Sequence, residues 1–241
     1  TSELIFSFAL SGSQRIPAAF EDCSALCDVN IPNSITEISE STFSGCSSLI
    51  SIVIPSGVTS VGNYSFEGCS SLVSFTFPED LVSIGNFAFY GCNSLEEVNI
   101  PYGVITLEDD LFSYCYSLKE FIIPENITEI GEFTFFKCTS LVNIQIPESV
   151  TRIYESAFAE CTTLETIIIP DSVTIIGGNV FSGCTKLKNV TLPANLTSLS
   201  GNMFTNCTSL KTITLPSTVT EIKEYAFYGC RNMTTLPLKK F

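Results

Sequence analysis

The chain has 241 residues, a net charge of −14 and a sequence pI near 4.3. That acidity excludes the basic footprint of a nucleic-acid binder and argues against docking on anionic lipid. With 45% hydrophobic residues the chain is not disordered, and with no histidine it lacks the commonest general base and metal ligand.

At the N-terminus, the apolar stretch Leu4–Leu10 has no initiating Met and no basic segment before it, so it does not read as a signal peptide. No run approaches the ~20 apolar residues of a membrane span. A chain opening on Thr1 and stopping at "LPLKKF" reads as a piece of a longer one, with any signal or anchor outside it. Residues 1–25 are expected to form a degenerate first coil: Phe6 and Phe8 fall in strand columns, Ala9 replaces a proline, and "GSQR" replaces a second strand.

From Phe20 to Cys230 one 23-residue unit repeats without insertion or deletion. Proline returns from Pro32 to Pro216, phenylalanine from Phe20 to Phe227 and cysteine from Cys23 to Cys230, each at this spacing. In "LISIVIP", alternation predicts a short strand with Ile52 and Ile54 inward and Val53 outward. Pro55 lacks an N–H and ends the ladder, Ser56-Gly57 turns the chain, and Val58–Val61 is a second extended piece. Gly62-Asn63 is then expected to open a single helical turn, with Asn63, Asn86, Asp109, Glu132, Glu155 and Glu224 in its N-terminal column. Three residues apart, Phe66 and Cys69 share the inner face of that turn. The expected fold is an α/β repeat solenoid, a rod or horseshoe of about ten coils roughly 50 Å long. It forms one domain over 1–241, with regular repeats over 26–232 and a truncated last coil at 233–241.

Ten cysteines on one ladder admit four readings. Stacked parallel side chains give poor disulfide geometry, a straight ladder gives no zinc tetrahedron, and no histidine stands by to activate a nucleophile. What remains is a small buried hydrophobe. Cys27 lies off the ladder in a partly exposed column: a stray substitution, a pair with Cys23, or a contact with a removed segment.

Two surfaces are candidate sites. The outward strand positions Val53, Thr76, Asn99, Ile122, Gln145, Ile168 and Thr191, with Glu97 and Glu120 beside them, trace one long, weakly charged face. It is either a binding surface or simply what an exposed sheet requires. Tyr64, Phe87, Tyr90, Phe133 and Phe136 form an aromatic face on the turn, either a partner site or rings covered by adjacent coils.

Charge is uneven along the rod. Residues 1–118 carry 14 acids against Arg15 alone, whereas residues 172–241 carry seven bases against Glu221 and Glu224. Such polarity suits steering of a charged partner or head-to-tail contact. The cluster Glu108–Asp110 reads as solvated caps rather than a calcium site. Six sequons begin at Asn63, Asn126, Asn189, Asn195, Asn206 and Asn232, a weak pointer to secretion.

The pattern "IPDSVTIIGGNVFSGCTKLKNVTL" from Ile169 resembles the BspA-like class of leucine-rich repeats over nearly the whole chain. It departs from the more familiar leucine-rich repeat, which runs one residue longer and carries an asparagine ladder after the strand. The resemblance implies an adhesin-like protein, at the cell surface or secreted, that contacts host or matrix proteins such as fibronectin or fibrinogen. The residues themselves add no catalytic constellation, no metal site and no cofactor motif, so the expectation is a non-catalytic protein-binding module. The alternative is a scaffold or self-associating protein that uses the aromatic face or the charge gradient.

Overall fold

The computed structural model describes residues 15–16 and 18–236; the expectations for Phe6, Phe8, Ala9 and the tail from 237 lie outside them. The chain winds as a parallel β-solenoid whose coils have three sides. On the first, the strand side, β4 (Ser74–Thr76), β6 (Glu97–Asn99), β10 (Thr166–Ile168) and β12 (Asn189–Thr191) follow the alternation read from sequence. Phe75 and Val98 point in while their neighbours point out.

Among the described residues the second side carries ten two-residue strands: β1 (Arg15–Ile16), β2 (Glu37–Ile38), β3 (Ser60–Val61), β5 (Ser83–Ile84), β7 (Thr106–Leu107), β8 (Glu129–Ile130), β9 (Arg152–Ile153), β11 (Ile175–Ile176), β13 (Ser198–Leu199) and β14 (Glu221–Ile222). All pairings are parallel with a register of 23 residues, as between β8 and β9. The first rung is the exception, because Arg15 pairs with Glu37, one residue short of the period. The 23-residue register is thus broken by one residue at this rung.

The third side corrects the expected helical turn. Among the described residues there is no helix. Instead, hydrogen-bonded turns follow one another, and two residues per coil are left-handed: the column of Ser41, Tyr64, Phe87 and Asp110, and the column of Gly45, Gly68, Gly91 and Tyr114 four places on. A left-handed residue every fourth position cannot continue an α-helix. It turns alternate N–H groups along the rod axis. Thus Ser41, Phe43 and Gly45 donate to the carbonyls of Asn63, Ser65 and Glu67 in the next coil, at 2.9, 2.8 and 2.7 Å. The third side is therefore a ladder of its own.

The column expected at a helix start has a different task. Asn63 Oδ1 accepts the N–H of Asn86, Asn86 Oδ1 that of Asp109, and Asp109 Oδ1 that of Glu132, at 2.9, 3.1 and 2.7 Å. These side chains cap the next coil, not a helix. It is a short polar ladder of the kind expected to be missing, placed on the turn side.

The interior is one continuous column stack. Consecutive Phe rings from Phe20 to Phe227 lie 5.3–5.9 Å apart and are tilted by only 6–23°. Full burial reaches eight of them, Phe43 through Phe204, so about eight coils are closed rather than the expected ten. Toward the two ends of the described residues the cover thins: Phe227 is partly covered and Cys23 is exposed.

Pairing on the strand and second sides is complementary. Where the strand side zips fully, β4 with β6 and β10 with β12, the second side opens between β5 and β7 and between β11 and β13. At both openings the entering residue carries a side chain, Glu108 or Ser200, where Gly85, Gly131 and Gly177 approach the coil below too closely for a Cβ. A side chain there is not sufficient by itself, since Tyr154 N–H still reaches Ile130 O at 2.9 Å.

Candidate functional site

The strand side presents its predicted residues outward. Val53, Ile122 and Ile168 are 81%, 75% and 60% exposed, and Thr76, Glu97, Asn99, Glu120, Gln145 and Thr191 are exposed as well. The alternation forces this, because the residues between them (Ile52, Phe75, Val98, Phe121, Ile144, Ile167) fill the core. Midway along the rod the face dips into a depression of about 890 Å³. Glu120, Ile122, Asn143, Gln145 and Glu148 line it, so the structure brings three predicted residues together beside Asn143 of the same face and adds Glu148. Ile122 and Gln145 face each other across a single parallel bridge. Val53 and Thr191 lie several coils away and share only the face. Exposed ion pairs Lys119–Glu96 and Lys188–Glu165, at 2.8 and 2.9 Å, tie neighbouring coils along its margin, each contributing under ~1 kcal/mol.

The turn side gathers the aromatic candidates into one stripe. Tyr64 stacks on Phe87 at 4.8 Å, and contacts pass from Phe87 to Tyr90 (5.9 Å), Tyr114 (5.1 Å), Phe136 (5.3 Å) and Phe133 (5.6 Å). All six are half-buried, so neighbouring coils cover part of each ring. Tyr64, Phe87, Tyr114 and Phe133 also hold left-handed backbone, φ 53–62°, which is costly for bulky residues. Asn179, Asn202 and Ser156 fill the same column as Phe87 more comfortably. Lys137 Nζ sits 4.9 Å over the Tyr114 ring and 5.3 Å over that of Phe136. Lys137 escaped the sequence reading because it stands in a column that is glycine in most other coils.

The buried ladder cysteines are held as thiols. Burial pushes the Cys46 thiol up to about 11 and that of Cys161 to about 12, far from the thiolate that nucleophiles and metals need. Each ladder thiol from Cys46 to Cys230 donates to the carbonyl of a Phe in the coil below, at 3.0–3.3 Å. Cys27 is exposed, as its column suggested. In the acidic cluster, burial raises Asp110 to about 6, with repulsion from Asp109 and Glu132 added, and burial also raises Glu108. Among the described residues no three carboxylates or thiols converge as metal ligands, and no helix is long and apolar enough to cross a membrane.

The model of the BspA type leucine-rich repeat region, in six copies, matches residues 14–119 and 105–234. The chain belongs to this family. No curated protein sequence matches it. Among solved structures it resembles a leucine-rich repeat protein from Bacteroides ovatus ATCC 8483, at 29% identity and a TM-score of 0.65, over 92% of this chain and 77% of that one. A leucine-rich cell surface protein from Faecalibacterium prausnitzii A2-165 is similar at 29% identity and a TM-score of 0.52, over 88% and 72%. The T. pallidum leucine-rich repeat protein aligns at 28% identity and a TM-score of 0.61, over 67% and 78%.

Proposed function

We propose that this chain is a non-catalytic protein-binding module, displayed at the cell surface or secreted, that contacts extracellular proteins through its strand side. The observation that carries the reading is the row of outward apolar residues, Val53, Ile122 and Ile168, with the depression at Glu120, Ile122 and Gln145 between them. In the depression Ile122 is an apolar anchor ringed by the polar Glu120, Asn143, Gln145 and Glu148, the apolar centre and polar rim of a protein interface. The cell-surface description of the Faecalibacterium protein supports the location. Fibronectin and fibrinogen are the first partners to try.

Binding of the purified rod to each immobilised protein at physiological salt tests this. Saturable binding that is lost when Ile122, Gln145 and Ile168 are changed together to Lys, with the melt unaltered, supports the strand side as reader. Unchanged affinity in that variant removes it. The second reading, self-association, draws on the acidic-to-basic gradient along the rod. A sedimentation coefficient that rises with concentration at low salt and stays constant at high salt would favour it.

A further inference from the structure

The turn side combines two properties that the strand side lacks. The turn segments of the six coils between residues 39 and 161 carry Glu40, Glu67, Glu108, Asp109, Asp110, Glu132, Glu155 and Glu160 against the single base Lys137. Within this field lies the six-ring stripe from Tyr64 to Phe133, reaching over four coils, about 15 Å. Glu67 and Asp110 stand close enough to Tyr90 to act on its hydroxyl. The one base present has its ammonium over two of the rings, Tyr114 and Phe136. That geometry is a cation–π seat already filled, whose ring faces attract positive charge and whose carboxylate surroundings reinforce it.

Among the described residues no other cation sits over the rest of the stripe. Tyr64, Phe87 and Tyr90 are half-exposed, and the corresponding residues of the coil before Tyr64 are Ser41 and Ser44. The backbone strain at Tyr64, Phe87 and Phe133 fits a functional reason for keeping rings where Ser or Asn is accommodated elsewhere.

We infer that the turn side is a second binding surface, one that seats Lys or Arg side chains of a basic protein segment on the rings of Tyr64, Phe87 and Tyr90 under the field of Glu67 and Asp110. The surface works independently of the strand side. An extended segment rises about 3.3 Å per residue, so side chains two apart meet the stripe every ~7 Å and two or three cations fit along it. Lys137 closes one end of the surface by holding the Tyr114–Phe136 seat.

The test uses a fluorescein-labelled (Arg-Ser)₄ peptide and its (Glu-Ser)₄ counterpart, read by anisotropy at 150 mM NaCl. Three variants borrow residues that other coils carry in the same columns. Phe87→Ser with Tyr90→Ser follows Ser156 and Ser182, Lys137→Gly follows Gly183, and the control Lys119→Val follows Val142. The Arg peptide binds the parent rod and the Glu peptide does not. The double Ser variant loses at least tenfold in affinity. Lys137→Gly gains threefold or more, while Lys119→Val, with the same change in net charge on the strand side, does not. Equal gains in those two variants would reduce the effect to net charge and overturn the inference. So would full affinity in the double Ser variant, or no binding of the Arg peptide. If the double variant does not fold, the comparison of Lys137→Gly with Lys119→Val decides alone.

Discussion

The Cys161 thiol donates to the Phe135 carbonyl of the coil below at 3.1 Å, and that same carbonyl accepts the N–H of Cys138 in its own coil at 3.1 Å. One carbonyl thus takes two donors from two coils, and the arrangement repeats along the ladder. The thiol fills a small apolar site while satisfying a second lone pair deep in the stack. Removing it by Cys161→Ala leaves the carbonyl one partner and opens a small void, a loss of about 1 kcal/mol in denaturant unfolding.

Accessibility follows from the same stack. Treated with iodoacetamide at pH 8 after reduction, the native rod labels fast at Cys23 and Cys27, slowly at Cys230, and not at the eight thiols from Cys46 to Cys207. Peptide mass spectrometry reads the pattern directly. Rapid labelling of Cys115 or Cys138 in the native state would contradict the burial.

The Phe column gives the sharpest stability contrast. Phe135→Ala should cost about 3–5 kcal/mol, and Phe135→Asp should unfold the neighbouring coils by adding an unpaired charge to a fully buried site. An unchanged melting curve for Phe135→Asp would refute the inward stack.

The strand columns were legible in the sequence because period-two alternation leaves one answer: Ile52 and Ile54 in, Val53 out. The turn side was not. Phe66 and Cys69 three apart fit a helical turn as well as consecutive β-turns, and side-chain spacing alone does not separate the two. What separates them is left-handed backbone, which the sequence disguises by placing Tyr64, Phe87 and Phe133 where Asn or Gly would announce it. A clue did exist in the glycine before the cysteine, at Gly45, Gly68, Gly91, Gly183 and Gly229, each with positive φ. The depression at Glu120, Ile122 and Gln145 was legible as a face but not as a concavity, because alternation says which residues point outward and not how the face is contoured.

Asp110 makes stability depend on pH in a direction opposite to an ordinary paired carboxylate. Its folded-state pKa of about 6 lies above the unfolded value of roughly 3.9, so the native state binds the proton more tightly. The stabilising contribution of the protonated form is complete below the unfolded value and is lost as pH rises through about 6. Asp110→Asn, which also places a residue tolerant of φ 53° there, should be more stable than the parent at pH 7 and nearly equal to it at pH 3.5. Urea unfolding of both proteins at the two pH values measures the difference. A gap of the same size at both would rule out the titration.

The polar ladder on the turn side is testable at one rung. Asn86→Ala removes the acceptor of the Asp109 N–H and should cost about 1–2 kcal/mol, whereas Asn86→Asp keeps an acceptor and should retain most of that stability. Equal destabilisation by the two changes would mean that packing, not the hydrogen bond, sets the cost.

The two gaps on the second side, between β5 and β7 and between β11 and β13, lie four coils apart on the same flank. Mechanically, they divide the rod into stiff blocks joined at two compliant lines, each backed by an intact ladder on the strand side. Each line keeps its strand-side pairing and also its turn-side bonds, Phe87 N–H to Asp109 O and Asn179 N–H to Gly201 O, so opening there is confined to the second side. A ligand laid across Ser74–Asn99 or Thr166–Thr191 on the strand side would meet paired rungs that hold their spacing across each line.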